Sequence, residues 1–434
     1  MIHYRLKVGA GLLALCGLLA IATGAHAAYG LYNVREAPFN AAGNGVTDDT
    51  QAFQNALNQS ASDGGGIVTV PTGKYLISTH LTIPTNVTLR GMWRTPPRAA
   101  AVDSASTLYA VENAWNPSGT PFITMNASSA IVGLQILYPN QTNTNPPISY
   151  PWTIRGNGSN IGMADMLLIN PYMGVDFGTN ACDLHTIDGV YMQALYRGFY
   201  VDKCSQGGVV ENTHLWLFWN LDPYSPVCEF MRNYCIGYQI GKTHAEMITN
   251  AFAIFLWVAS EYTNFGSGVP SALLTSTFMD GGSYSFYVNH SDYSRGINMY
   301  NIGMMGSTVV GGGNDGHIKM HQLACNSNNN SALGPLTSSY VWTYGNSCTS
   351  VSGGCTFDRW DRTNNGSPAI NADGHSLIAC GNEFSHTTSG KVKVRLNSNL
   401  RNACIVGNRM WGGVNIQNYT TAGADLPIGF NNGG

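Results

Sequence analysis

The strongest constraint on the fold is a repeat of 23 residues built from short strands. Three five-residue segments align without gaps and begin at Asp165, Asp188 and Glu211. Short apolar runs alternate with Gly, Asn, Asp and Ser clusters almost to the C-terminus. In a parallel β-helix, each coil exposes an apolar inner face that only its neighbouring coils can bury. The repeat therefore predicts an all-β protein with a single-stranded parallel β-helix.

A β-sandwich and a β-propeller also use short strands at regular spacing. The repeat is nevertheless much shorter than the 40 or more residues of a propeller blade. Paired Asn-Gly hairpin turns, which would join antiparallel strands, do not punctuate the strands. We therefore favour the β-helix.

One helical segment precedes the repeat. Phe53, Ala56 and Leu57 recur at helical spacing and predict an amphipathic helix over residues 48–58. It belongs to an N-terminal cap of about residues 28–66, and a terminal cap is expected of a solenoid because its end coil is open. The helix should therefore cover the apolar end of the β-helix.

The start of this helix carries two acids. Thr47 is expected to be the N-cap residue, since its hydroxyl can accept a backbone N–H. Asp48 and Asp49 would then lie in the first turn, where the helix dipole favours negative charge. We interpret this acid pair as structural.

The first 27 residues are expected to be a signal peptide. Arg5 and Lys7 precede an apolar stretch at 9–23, and a small-residue cleavage site ends at Ala27. Residues 28–434 would form one secreted or periplasmic domain. No later apolar run approaches the length needed to span a bilayer, so we expect no membrane partner.

The charge of the chain excludes one class of partner. It has 21 Lys and Arg against 24 Asp and Glu, for a net charge of −3, so it lacks the basic footprint that phosphate binding requires. We expect no nucleic-acid partner. The 44% hydrophobic content excludes a disordered chain, and the oligomeric state stays open.

The cysteines fit either disulfides or buried thiols. Export would favour disulfides. Cys228 and Cys235, like Cys348 and Cys355, are seven residues apart and suggest pinched loops, whereas two other pairs are about one coil apart and could stack (Cys182 with Cys204, Cys380 with Cys404). The alternative is that they are buried apolar side chains. No CxxC motif or His/Cys cluster predicts a metal site.

The acid column is the main catalytic candidate. Aligned positions on successive coils stack about 4.8 Å apart, so neighbouring acids among Asp165, Asp188 and Glu211 would suit a retaining glycosidase. Acids two coils apart would approach the wider spacing of an inverting enzyme. A calcium site is the alternative use of the same oxygens.

A structural reading of the column competes with the catalytic one. Strict alternation would point the acids inward, unless the turn before the strand shifts them. The outward face of the same strands would then present Leu168, Tyr191 and His214. His214 becomes a further catalytic candidate, either as a base or as a sugar contact.

An insertion over about residues 216–236 interrupts the repeat. Long excursions from a regular scaffold are commonly functional, and aromatic rings suit the CH faces of sugars. The predicted substrate contacts, in the insertion and on neighbouring coils, are Tyr191, Trp219, Tyr224, Lys242, Glu246 and Trp257. Arg155, Arg197 and Arg232 could also meet uronate carboxylates.

Three segments carry a family resemblance. Residues 45–50 (GVTDDT), 64–75 (GGGIVTVPTGKY) and 86–91 (NVTLRG) resemble the opening of pectate-lyase-3 type proteins in the pectin-lyase-like superfamily, related to glycoside hydrolase family 28. The resemblance implies a right-handed parallel β-helix and action on polysaccharides as a hydrolase or lyase. The same fold serves other activities, so it does not determine the reaction.

The motifs of named subfamilies are not reproduced. Residues 314–319 (NDGHIK) only partly match the polygalacturonase motifs, and Asp222-Pro223 is followed by Tyr224 rather than the His of alginate epimerases. We predict a secreted glycoside hydrolase that acts on a polysaccharide or oligosaccharide and needs no cofactor. The alternatives are a polysaccharide lyase, for which Ca²⁺ is possible, and a non-catalytic glycan-binding solenoid.

Overall fold

The computed structural model describes residues 30–92, 105–326, 339–362, 364–386, 388–421 and 424–433. The predicted signal peptide lies outside these ranges. Within them the chain forms 36 strands and two helices, and every strand pairing is parallel. The helices are α1 (Thr50–Ser62) and α2 (Pro226–Tyr234).

The strands of the N-terminal half are short, mostly three to seven residues. They are β1 (Gly30–Asn33), β2 (Asn44–Asp48), β3 (Gly66–Thr69), β4 (Gly73–Ile77), β5 (Leu81–Ile83), β6 (Val87–Arg90), β7 (Ser106–Ala110), β8 (Ile123–Asn126), β9 (Ala130–Val132), β10 (Gln135–Leu137), β11 (Trp152–Asn157), β12 (Gly162–Leu168), β13 (Met173–Phe177), β14 (Thr186–Met192), β15 (Arg197–Val201), β16 (Val209–Glu211), β17 (His214–Leu215) and β18 (Ile236–Ile240).

The strands of the C-terminal half include two of eleven residues, β20 and β22. They are β19 (Thr243–Thr249), β20 (Phe252–Tyr262), β21 (Pro270–Thr275), β22 (Phe278–Val288), β23 (Ile297–Met304), β24 (Ser307–Val310), β25 (His317–Asn326), β26 (Val341–Thr343), β27 (Cys348–Ser352), β28 (Thr356–Asp358), β29 (Ile370–Ala372), β30 (Ser376–Cys380), β31 (Glu383–Phe384), β32 (Val394–Leu396), β33 (Asn402–Val406), β34 (Arg409–Met410), β35 (Ile416–Asn418) and β36 (Ile428–Gly429).

The pairings arrange these strands in three parallel ladders, which we call faces A, B and C. Around the site, face A contains the first parts of β12 and β14, then β16, β19 and β21. Face B contains the last parts of β12 and β14, then β17 and the first parts of β20 and β22. Face C contains β13, β15, β18 and the last parts of β20 and β22. The predicted parallel β-helix is therefore confirmed.

The core lies inside the three faces. On face A one inward column runs through nine coils without a break, and all of its side chains are fully buried: Ile187, Val210, Ile248, Leu274, Met299, Met320, Val351, Ala379 and Ile405. Burial of one large apolar side chain contributes about 1.5–3 kcal/mol. Each coil is therefore stabilised by its neighbours.

Helix α1 forms, but it begins later than expected. Phe53, Ala56 and Leu57 are buried, and the helix packs against strands of the first coils. Thr47 is not the N-cap residue; Asp49 occupies that position, and its carboxylate accepts the backbone N–H groups of Ala42 and Gly43 at 2.6 and 3.0 Å. The expected placement of the acids in the first turn is wrong, because loop contacts use them.

Helix α2 lies within the insertion and replaces an expected pinched loop. Cys228 lies in the helix and Cys235 follows it, so the two are separated by a rise of about 10 Å and cannot form a disulfide. The nine cysteines of the described ranges are free thiols. In the same ranges, no helix is long and apolar enough to cross a membrane.

Candidate functional site

The acid column forms with two members instead of three. Asp188 of β14 pairs directly with Glu211 of β16. The residue of β12 that pairs with Asp188 is Ala164, so Asp165 is offset by one position. The predicted alignment of Asp165 with the other two acids is therefore wrong, because its coil takes 24 residues rather than 23 to reach the next equivalent position.

A left-handed backbone corner explains both the offset and the direction of the acids. Asp165, Gly189, Asn212 and Asn250 each follow the last paired residue of face A on their coils, so all four lie where faces A and B meet. Their φ angles are 52, 63, 53 and 49°. Such a residue breaks the two-residue alternation of a strand. The residue before the corner can therefore face outward although the residue after it faces inward.

The acid pair lies on the outer surface of face A. Ile187 and Val210, which precede the acids, are fully buried, whereas Asp188 and Glu211 are half-buried. The side-chain amide of Asn212 donates to Asp188 at 2.7 Å. The structure thus holds two adjacent carboxylates at the surface, one of them oriented by an amide.

An aromatic column lies beside the acids, on the outer side of face B. Tyr191 pairs with His214, which pairs with Phe252. The rings of Tyr191 and His214 stack with their centroids 5.6 Å apart, and the centroids of the His214 and Phe252 rings are 4.4 Å apart. The expectation that Leu168 belongs to this outward surface is wrong. Leu168 is fully buried, because the same one-residue offset places Leu167 opposite Tyr191.

His214 is enclosed by further rings from the insertion. Its ring lies 6.0 Å from Trp216 and 5.9 Å from Phe218. Burial among these groups lowers the pKa of His214 from its ordinary value of 6.5. The imidazole is therefore held in its uncharged form near neutral pH, in which one ring nitrogen can accept a proton.

The insertion forms one wall of a pocket with a volume of about 390 Å³. The lining residues are Trp216, Leu217, Leu221 and Pro223 of the insertion and Phe255 of β20. The sequence predicted that the insertion is functional, but it did not predict which of its residues line a pocket. Phe255 was missed, because a side chain on a later coil gives no sequence signal for its place in the pocket.

The three predicted sugar-stacking rings of this region differ in accessibility. Tyr224 is 61% exposed and Trp257 is 39% exposed. Trp257 packs edge-on against Tyr284 at 6.4 Å. Trp219 is half-buried and packs against the apolar core. Tyr224 and Trp257 therefore offer ring surface to a ligand, while Trp219 mainly supports the insertion.

Glu246 does not lie at the surface, so its prediction as a substrate contact is wrong. Both Glu246 and His185 have fully buried side chains, and they form an ion pair at 2.8 Å. The Oε2 atom of Glu246 accepts the Gly208 N–H and the Thr243 hydroxyl, both at 3.0 Å. Its oxygens are thus engaged within the protein.

The predicted basic contacts are largely engaged as well. Arg155 forms an ion pair with Asp176 at 2.6 Å, and Arg197 donates to two backbone carbonyls. Arg232 donates to the Pro223 carbonyl. Lys242 is half-buried, and its backbone N–H donates to Asp202 at 2.7 Å. Lys242 therefore remains the basic candidate for a substrate contact.

Metal binding has limited support from the described side chains. No group of three or more His, Cys, Asp or Glu within the described ranges is arranged to hold a metal ion. Asp188 and Glu211 supply two carboxylates, fewer than the six to eight oxygens that Ca²⁺ usually takes.

The sequence of residues 31–216 matches the family described as rhamnogalacturonase A/epimerase, pectate lyase-like. No curated protein sequence matches the chain.

Solved structures extend the likeness over nearly the whole chain. The A-module of mannuronan C-5 epimerase AlgE6 from Azotobacter vinelandii has a TM-score of 0.53 and 14% identity, covering 93% of this chain and 99% of that one. Gene product 12 of bacteriophage phi29 has a TM-score of 0.57 and 13% identity, covering 91% of this chain and 56% of that one. The likeness to these solved structures is one of fold, and the chain thus has a right-handed parallel β-helix.

Proposed function

We propose that this protein is a secreted enzyme that acts on a polysaccharide, and more specifically a glycoside hydrolase. The observation that carries the proposal is the direct pairing of Asp188 with Glu211 on the outer surface. Paired positions on adjacent parallel strands are about 4.8 Å apart. This spacing approaches the roughly 5–5.5 Å between the carboxyl groups of retaining glycosidases. The family match and the fold support a glycan substrate.

The surroundings of the two acids suggest different roles. The Asn212 amide fixes the orientation of Asp188, as a nucleophile attacking the anomeric carbon requires. Glu211 would protonate the leaving oxygen and then activate the water that releases the sugar. The exposed rings of Tyr224 and Trp257 would bind sugar faces nearby.

The test is reducing-sugar release from a panel of neutral and acidic glycans. Asp188→Asn and Glu211→Gln should each lower kcat by at least a hundredfold, because each removes one chemical step of the double displacement. Asp165→Asn is the matched control, since Asp165 is off the paired position and Asn tolerates its left-handed backbone. Full activity of Asp188→Asn would refute the assignment.

The second candidate is β-elimination or C5 epimerisation of a uronate, with His214 as the base that removes the C5 proton. The uncharged, half-buried imidazole favours it, as does the similarity to a protein named as a C-5 epimerase. A lyase product would absorb in the ultraviolet and would not gain the mass of water. An epimerase would change the uronate composition without shortening the chain.

The two mechanisms can be separated with one variant. His214→Phe preserves an aromatic ring in the column, so the fold should be retained. It should abolish elimination or epimerisation but leave hydrolysis by the acid pair measurable. Binding to the glycan panel with no turnover in the unmodified protein would instead favour a non-catalytic solenoid.

A further inference from the structure

The pocket beside the aromatic column differs chemically from a sugar site. Every described side chain that lines it is apolar: Trp216, Leu217, Leu221, Pro223 and Phe255. A sugar ring carries several hydroxyl groups, and burying a hydroxyl without a hydrogen-bond partner is unfavourable. The pocket is therefore unsuited to a bare sugar ring, although it adjoins the proposed catalytic surface.

Its size suits an aromatic group. A protein cavity of about 150 Å³ lined by Leu, Ile and Phe binds benzene, and this pocket encloses about 390 Å³. A substituted ring with a short linker to solvent would fit that volume. Two aromatic side chains, Trp216 and Phe255, line the pocket, and an aromatic ligand could pack against them edge-to-face or offset-stacked.

The walls of the pocket are held in place before any ligand binds. The side-chain carbonyl of Gln193 accepts the backbone N–H groups of Trp219 and Asn220 at 2.7 and 2.9 Å. Arg232 of α2 donates to the carbonyl of Pro223, a lining residue. These contacts fix both ends of the segment that forms the outer wall, so binding does not require the loop to fold first.

Phe255 provides an independent observation. Its φ is 63°, and a left-handed backbone is a genuine outlier for a bulky residue. Such strain persists only where the surrounding structure enforces it, and it is concentrated at functional sites. Here the unusual backbone places the Phe255 ring at the pocket wall.

Trp216 connects the pocket with the proposed catalytic surface. Trp216 lines the pocket and lies 6.0 Å from His214, which shares a coil with Glu211. A glycan on the acid pair could thus extend a substituent across face B into the pocket.

We propose that this pocket binds an aryl group, presented either as a free aromatic ester or as an aromatic acyl substituent of the glycan. The binding of the free ester stands independently of the proposed hydrolysis. The role of the substituent rests on the proposed function.

Isothermal titration calorimetry with the full chain tests the proposal. The probes are methyl cinnamate, a cinnamoylated disaccharide and the same disaccharide without its acyl group. We expect both cinnamoyl probes to bind, with a negative heat-capacity change that marks apolar burial. The plain disaccharide should bind at least tenfold more weakly than its cinnamoylated form. Binding of methyl cinnamate alone would identify the free ester as the ligand and overturn the substituent role.

Two variants and a matched control locate the binding. Leu221→Trp should fill the pocket and weaken methyl cinnamate binding by at least tenfold; Leu221 is 52% exposed, so the fold can accept the larger side chain. Ile378→Trp, at an exposed position many coils away, is the matched control and should bind normally. Phe255→Gly removes the ring and should also lose binding; because the ring is buried, its loss should outweigh the relief of backbone strain and lower the thermal stability.

The outcomes are distinguishable from failure of the proposed function. Asp188→Asn should bind methyl cinnamate like the unmodified protein even if it loses hydrolysis. If methyl cinnamate binds Leu221→Trp as tightly as it binds the unmodified protein, the pocket assignment is overturned. If neither cinnamoyl probe binds up to its solubility limit, the proposal as a whole is overturned.

Discussion

The Nε2 atom of His185 lies 2.8 Å from Oε1 of Glu246, although the two residues are 61 positions apart and both side chains are fully buried. The register places Gly208 on the coil between them. A β-carbon on Gly208 would lie 2.2 Å from Nε2 of His185. The His185 side chain therefore reaches across the intervening coil, where only a glycine leaves room for its ring. It bonds there to Glu246, which lies two coils away.

The ion pair predicts a specific pH dependence of stability. Burial alone would lower the pKa of His185, but the Glu246 carboxylate and hydrogen bonds raise it from 6.5 to about 10. Burial alone would raise the pKa of Glu246 above 4.5, but His185 and the other donors lower it. The His185 contribution is complete below pH 6.5 and is lost as the pH rises towards 10. The Glu246 contribution is present above pH 4.5 and is lost as the pH falls further.

Glu246→Gln should lower the free energy of unfolding by about 3–5 kcal/mol, since one partner of a buried pair is left behind. The difference from the unmodified protein should be greatest between pH 4.5 and 6.5. Urea titrations across pH measure it. Glu112→Gln is the control: Glu112 pairs with His80 at 3.2 Å at the surface, so its loss should cost less than about 1 kcal/mol. Equal effects of the two substitutions would contradict this account.

Gly208→Ala should destabilise the protein although it adds only a methyl group. The new β-carbon would collide with the His185 ring, and moving that ring would break its ion pair with Glu246. We expect a loss of about 3 kcal/mol or more by thermal unfolding. The double variant Gly208→Ala/Glu246→Gln should lose much less than the sum of the two single losses. Full additivity would show that the glycine acts elsewhere.

The acid pair shows how far the sequence could lead. Its 23-residue step correctly aligned Asp188 with Glu211, because the inward apolar pattern of each coil sets the register. Asp165 was misplaced because one extra residue in its coil leaves no trace in the apolar pattern. The outward direction of the acids depends on left-handed corners at Gly189 and Asn212, and Gly and Asn are the residues that commonly adopt them.

Other features needed the three-dimensional structure. The partners His185 and Glu246 are separated by 61 residues, and no local pattern joins them. Helix α2 could have been found locally: Ser225 precedes Pro226, Glu229 lies in the first turn and Arg232 in the last. The seven-residue spacing of Cys228 and Cys235 instead predicted a pinched loop over the same residues.

Thiol labelling should separate the nine cysteines of the described ranges into two groups. Cys348, Cys380 and Cys404 are partly accessible and the other six are buried. Cys404 pairs with Ile378 instead of Cys380, so the thiols approach to 3.8 Å from diagonal positions. Diagonal neighbours are about 7–8 Å apart, which is too far for an unstrained disulfide. We expect three fast-reacting thiols in the native protein, counted by mass spectrometry.

The labelling has a direct control. Cys380→Ser and Cys404→Ser should each lower the number of fast-reacting thiols from three to two. A mass two units lower without reductant, restored by reductant, would show instead that a disulfide forms and that this expectation is wrong.

Asn212 should contribute to stability and to activity by separable means. Its φ is 53°, and its amide donates to Asp188 and accepts from Asn250, each at 2.7 Å. Asn212→Gly removes the amide but suits the left-handed corner, whereas Asn212→Ala removes the amide and strains the backbone. The Ala variant should therefore be less stable than the Gly variant by about 1 kcal/mol in urea titrations.

If Asp188 is the nucleophile, both variants should lose about tenfold in kcat, since the lost hydrogen bond no longer orients the Asp188 carboxylate. Equal stability of the two variants would contradict the corner's conformational role, and unchanged kcat in both would contradict the orienting role.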